Sequence, residues 1–148
     1  MRTILLLGLV AIMLNGTAIA GDISVGAPLI SGDVSRPASP RESGHSGLSS
    51  EHLRALSQWL EHHRSGWQGE ITEAGLEPVQ LEINVKHSDG RTTSICIIVE
   101  ADGGHYLRLT GPGVWAYRSF GGIFKSWAAT RQLSDAELAE FETAVSAT

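Results

Sequence analysis

Apolar and polar residues alternate most sharply in VQLEINVKH (79–87), where Val79, Leu81, Ile83 and Val85 share one side of a pleated strand. TTSICIIVEA (92–101) repeats the pattern, with Thr93, Ile95, Ile97 and Val99 on one side. The Ser88-Asp89-Gly90 connection suits a three-residue hairpin loop with Gly90 left-handed. That loop pairs Val85 with Thr93, Ile83 with Ile95, Leu81 with Ile97 and Val79 with Val99. A two-residue Asp89-Gly90 loop would set apolar residues of opposite faces against each other, which the pleat forbids. Ala101-Asp102-Gly103 repeats the loop chemistry and pairs Val99 with His105, Ile97 with Leu107 and Ile95 with Leu109. Two more strands are predicted: VWAYRSF (114–120), after a Gly111-Pro112-Gly113 turn, and FKSWAATR (124–131), after Gly121-Gly122.

Helical spacing appears at both ends of this run. LSSEHL (48–53) and LSDAEL (133–138) each set a serine between leucines in a hydrophobic staple, and Glu137 completes a capping box with Ser134. The first helix should run from about Ser50 to Ser65, burying Leu53, Leu56, Trp59, Leu60 and His63, and stopping at Gly66. The second should span about Asp135 to Ser146, with Leu138, Phe141 and Val145 on one side. The expected fold is α+β: an antiparallel meander of about five strands, with an N-terminal and a C-terminal helix packed on one sheet face.

The N-terminal stretch changes the setting. Arg2, the apolar run ILLLGLVAIML (4–14) and Ala18-Ile19-Ala20 read as a secretory signal cleaved near Ala20. The apolar run is shorter than the roughly 20 residues a membrane-spanning helix needs. The chain is therefore expected to be periplasmic or secreted, with no membrane span. Losing Arg2, the one charge in residues 1–20, moves the net charge from −5 to −6. That balance argues against nucleic acid, which calls for a basic stripe, and suits a basic partner. Residues 21–47 hold Pro28, Pro37 and Pro40 among many serines and glycines, and read as a flexible tail. Residues 48–148 remain as one α+β domain. Its lone Cys96 excludes an internal disulfide, so burial must hold it together.

Candidate chemistry is sparse. Glu61-His62-His63-Arg64-Ser65-Gly66-Trp67 sets two histidines side by side, but neighbours on a helix point about 100° apart and cannot clamp one ion. These cations suit a helix C-terminus instead. His87 and His105 would lie about 26 Å apart along the sheet, too far for a shared metal. No metal site and no cofactor are expected. Asp102 with His105, or Cys96, are the best residues for a small hydrolase. The Asp-Gly pair is better explained by its turn, however, and Cys96 lies between Glu82, which disfavours a thiolate, and Arg108, which favours one. Neither the G-x-S-x-G nor the H-E-x-x-H catalytic signature occurs.

More distinctive is the second sheet face, expected to be open to solvent. It carries Glu82, Asn84 and Lys86, then Ser94, Cys96 and Ile98, then Tyr106, Arg108 and Thr110. Trp115, Tyr117, Phe120, Phe124 and Trp127 lie close by in sequence, and aromatics with arginine are the residues that anchor interfaces. The sequence thus points to a non-catalytic exported binding protein that contacts a protein partner through Glu82, Tyr106, Arg108, Trp115 and Tyr117. Inhibitors and immunity proteins of toxins or envelope enzymes are the analogous type. A hydrolase, or an accessory subunit tethered by the tail to an envelope complex, are the alternatives.

Overall fold

The computed structural model describes residues 20–23, 25–36, 46–70, 79–119 and 122–146, with the backbone alone described at 20, 70, 112–119 and 122–127. The strands are β1 (Ala20–Ile23), β2 (Leu29–Ser35), β3 (Ser46–Gly47), β4 (Trp67–Glu70), β5 (Val79–His87), β6 (Thr92–Val99), β7 (His105–Ser119) and β8 (Gly122–Leu133). The helices are α1 (Ser50–His62) and α2 (Asp135–Val145). One antiparallel sheet takes the order β1-β4-β8-β7-β6-β5-β2-β3, and β1 also pairs β7.

Its centre follows local turn chemistry. Ile83 faces Ile95 and Leu81 faces Ile97, across a loop in which Gly90 has φ +91° and the His87 amide donates to the Arg91 carbonyl. The Asp89 carboxylate accepts from the Arg91 amide at 3.1 Å and locks the turn. The second loop is alike: Gly103 has φ +84°, and Asp102 Oδ1 accepts the Gly104 amide at 2.7 Å. Ile97 then faces Leu107, and Ile95 faces Leu109. At the far end of β5 the ladder slips, so Val79 meets Ile98 rather than the expected Val99. A bulge at Gln80 absorbs the extra residue.

Three expectations are corrected. Among the described residues there are eight strands where about five were anticipated. Gly111-Pro112-Gly113 is no chain reversal but an irregularity inside β7: Thr110 faces Ala128 while Trp115 faces Ser126, so residues 111–114 oppose Trp127 alone. Proline has no amide to give the ladder, and Gly111 takes φ +150°, so the strand kinks and continues. The stretch 21–47, anticipated as a flexible tail, supplies β1, β2 and β3; of it, residues 24 and 37–45 lie outside the described residues. β2 pairs β5 from Leu29↔His87 to Ser35↔Glu82, and Val25, Leu29 and Val34 pack on the core. A ladder partner some fifty residues away thus orders a segment whose own composition favours disorder. The anticipated signal falls almost wholly on residues 1–19, also outside the described set.

Both helices lie on the apolar face. Leu53, Leu56, Trp59 and Leu60 of α1, with Phe141 and Val145 of α2, share one core with Leu81, Ile83, Val85, Ile95, Ile97, Leu107 and Leu109. Trp59 and Phe141 join the helices edge-to-face at 5.1 Å. Ser49 caps α1 by accepting the His52 amide at 3.2 Å, and Ser134 with Glu137 forms the capping box of α2. The double histidine is a helix ending. α1 stops at His62, and His63 folds back so that its Nδ1 donates to the Trp59 carbonyl at 2.7 Å. The His63 ring stacks on the Trp59 ring at 4.0 Å, and Gly66 turns the chain with φ +80° into buried Trp67.

Candidate functional site

The register lays out the second sheet face in rows. Glu82 faces Cys96, Cys96 faces Arg108, Arg108 faces Thr130 and Thr130 faces Gln68, giving one polar row across β5, β6, β7, β8 and β4. The next row sets Ile98 against Tyr106 and Tyr106 against Gln132. Glu82, Tyr106 and Arg108, three of the five anticipated contact residues, therefore share one face, opposite the helices. Trp115 and Tyr117 continue the same strand, in register with Ser126 and Phe124; their side chains lie outside the description, as do those of Phe124 and Trp127, and Phe120 is not described.

This face is less open than anticipated. Ile98 is only 1% exposed and stands apart from the helix-covered core. Glu82, Ser94, Cys96, Tyr106 and Arg108 are half-buried, while Asn84, Lys86 and Thr110 are exposed. Alternation alone overstated the exposure: it marks which residues share a face, not how far that face is covered.

Hydrolytic chemistry finds little support in the geometry. Burial pushes the Cys96 thiol up from its ordinary 9.0; the Ser94 hydroxyl at 3.8 Å and Arg108 pull it down, and Glu82 pushes it up. The sulfur therefore stays protonated and is a poor nucleophile. Cys96 lies on the second face, whereas His105, opposite Leu133 and Val99, belongs to the alternate positions of β7 that face the helices. Asp102 is engaged by its own turn. The structure does not bring these three together. Among the described residues, no group of three or more His, Cys, Asp or Glu side chains is placed to hold a metal ion.

His87 has a structural task. It is 5% exposed, its Nδ1 donates to the Ala27 carbonyl at 2.8 Å, and its Nε2 bonds the Thr93 hydroxyl at 2.7 Å. It pins the link between β1 and β2 to the end of the central hairpin.

A second locus, absent from the sequence reading, lies where β8 outruns β4. β4 pairs Gln68 with Thr130, Gly69 with Ala129 and Glu70 with Ala128, so β8 beyond Thr130 has β7 on one side and no strand pairing on the other among the described residues. A cleft of about 620 Å³ occupies this edge, with Gln68, Tyr106, Thr130, Gln132, Arg131 and Glu137 in its walls. Arg131 spans its helix side: Nη1 donates to the Ser65 carbonyl and Nη2 to Glu137 at 2.9 Å. Burial alone would raise the Glu137 carboxyl. The Ser134 amide and Arg131 outweigh it and hold the group below its ordinary 4.5. Sequence showed Glu137 as a cap but not its reach to Arg131, because that pairing needs β8 and α2 already folded together.

Fold and site together define an α+β protein built on one mixed-polarity antiparallel sheet. No protein-family model, no curated protein and no solved structure matches the chain.

Proposed function

We propose that this chain is a small exported, non-catalytic binding protein that holds a protein partner of basic character. Its leader would be removed near Ala20, leaving it periplasmic or secreted, and inhibitors or immunity proteins of toxins and envelope enzymes are the analogous type. Among the described residues no helix is long and apolar enough to cross a membrane.

One observation carries the reading. Tyr106, Arg108, Trp115 and Tyr117, four of the five contact candidates, lie on the single strand β7. β7 starts in the middle of the sheet, beside β6, and transfers to β1 at Trp115 and Ala116. From Tyr117 to Ser119 its described ladder partner is β8 alone. A two-stranded ribbon is only marginally stable by itself, so an aromatic-rich one leaving a sheet is well suited to pack against another molecule. Glu82 extends the polar row beside Arg108. A net charge of −5, or −6 once Arg2 is removed with the leader, favours encounter with a positively charged partner.

Affinity capture from an envelope extract tests this. Wild-type protein should recover a specific basic partner, and the double variant Arg108→Ala with Tyr117→Ala, which removes the anchoring side chains without adding negative charge, should lose it. Retention of every recovered partner by the double variant would show that β7 is not the contact surface.

A further inference from the structure

We propose that the cleft at the open edge of β8 is a binding site for a neutral oligosaccharide. This goes beyond the protein-binding reading and does not rest on it: Tyr106 is common to both, but Gln68, Thr130 and Gln132 lie outside the contact set named there.

Charge in the cleft is already internally matched. Arg131 is committed to Ser65 and Glu137, while the second Glu137 oxygen accepts the Ser134 amide at 3.1 Å. An anion would have to break that pair to reach the guanidinium, and would then meet a freed carboxylate. A cation would face the same exchange in reverse. Neither charged class gains net pairing here.

Apart from Arg131 Nε, which is buried and has no acceptor among the described residues, the unspent capacity is neutral. Among the described residues, the Gln68 and Gln132 carboxamides, the Thr130 hydroxyl and the Tyr106 phenol have no hydrogen-bond partner. Each of the four both donates and accepts. Sugar hydroxyls have the same dual character, so a ligand presenting several in a ring can satisfy all four groups together. The placement is ordered: Gln68 stands opposite Thr130 and Tyr106 opposite Gln132, with Thr130 and Gln132 two residues apart on β8. They form one patch, roughly 5 Å between strands and 7 Å along them, which is the scale of a sugar ring. The half-buried Tyr106 ring supplies an apolar surface beside the amides. Glu100 foremost, then burial and Asp102, raise the Tyr106 phenol above its ordinary 10.0, so it keeps its proton and donates. A cleft of about 620 Å³ is of the size that holds a small ligand.

Calorimetric titration of the full mature chain with maltotetraose, cellotetraose and chitotetraose, each to about 5 mM, is the test. An anionic heparin tetrasaccharide and tetra-alanine serve as comparators. At least one neutral sugar should bind saturably and more tightly than either comparator. Gln68→Ala and Gln132→Ala, both at exposed positions, should each weaken it about tenfold or more while leaving the circular dichroism spectrum and the captured protein partner unchanged. Absence of saturable binding by all three sugars, equal binding by both variants, or tighter binding of the heparin fragment or the peptide would each overturn the assignment. Because Gln68 and Gln132 are not part of the β7 contact set, loss of sugar binding and loss of partner capture are separable results.

Discussion

Single side chains here act mostly by tying distant backbone together. Glu137 is the clearest case: one carboxylate accepts from its own helix cap and from Arg131, which in turn holds the Ser65 carbonyl beyond α1. Its proton affinity is lowered in the folded chain, so the unfolded chain takes up the proton first as pH falls. The stabilisation is therefore present above the ordinary value of 4.5 and lost as pH drops below it through the folded value. Glu137→Gln should cost roughly 1 kcal/mol at pH 7 in urea unfolding, and the difference from wild type should shrink toward pH 3. A variant whose deficit is the same at both pH values would show that ionisation of Glu137 does not matter.

Among elements, the hairpins were legible and the flanking strands were not. β5 and β6 are specified within about twenty residues: alternation sets the faces, and one left-handed glycine sets the loop, so Glu82, Cys96 and Arg108 fell into their row from sequence alone. LISGDVS carries no such alternation, and its pairing with β5 is a tertiary event. β4 is four residues with two polar side chains and a glycine, and the cleft exists only because it stops short along β8. Nothing local encodes that offset, and so Gln68, Thr130 and Gln132 went unread. His87 supplies the missing tether for the β1–β2 link. His87→Ala strands the Ala27 carbonyl and should cost about 1–3 kcal/mol. In hydrogen exchange the loss should concentrate at the Ser88 amide, which donates to the Pro28 carbonyl at 2.8 Å, ahead of Ile95 and Ile97. Uniform loss across the sheet would instead make His87 an ordinary core residue.

For the molecule as a whole, electrostatics and topology set the behaviour. With a net charge of −5, association with a basic partner should slow steeply as ionic strength rises from 0.05 to about 0.5 M, with much less change in the dissociation rate. Stopped-flow mixing with the captured partner measures both, and a salt-independent association rate would show that long-range charge does not steer the encounter.

The position of β1 has a consequence for how the polypeptide matures. Its neighbours are Trp67 and Gln68 of β4, and Trp115 and Ala116 of β7. Ile23, 2% exposed at its end, is thus among the earliest core residues to emerge from the ribosome and among the latest to be enclosed. Synthesis must pass position 116 before that isoleucine finds both flanks of its berth. A nascent chain built this way stays unfinished for most of its production, its first strand waiting on the last ones to complete the sheet.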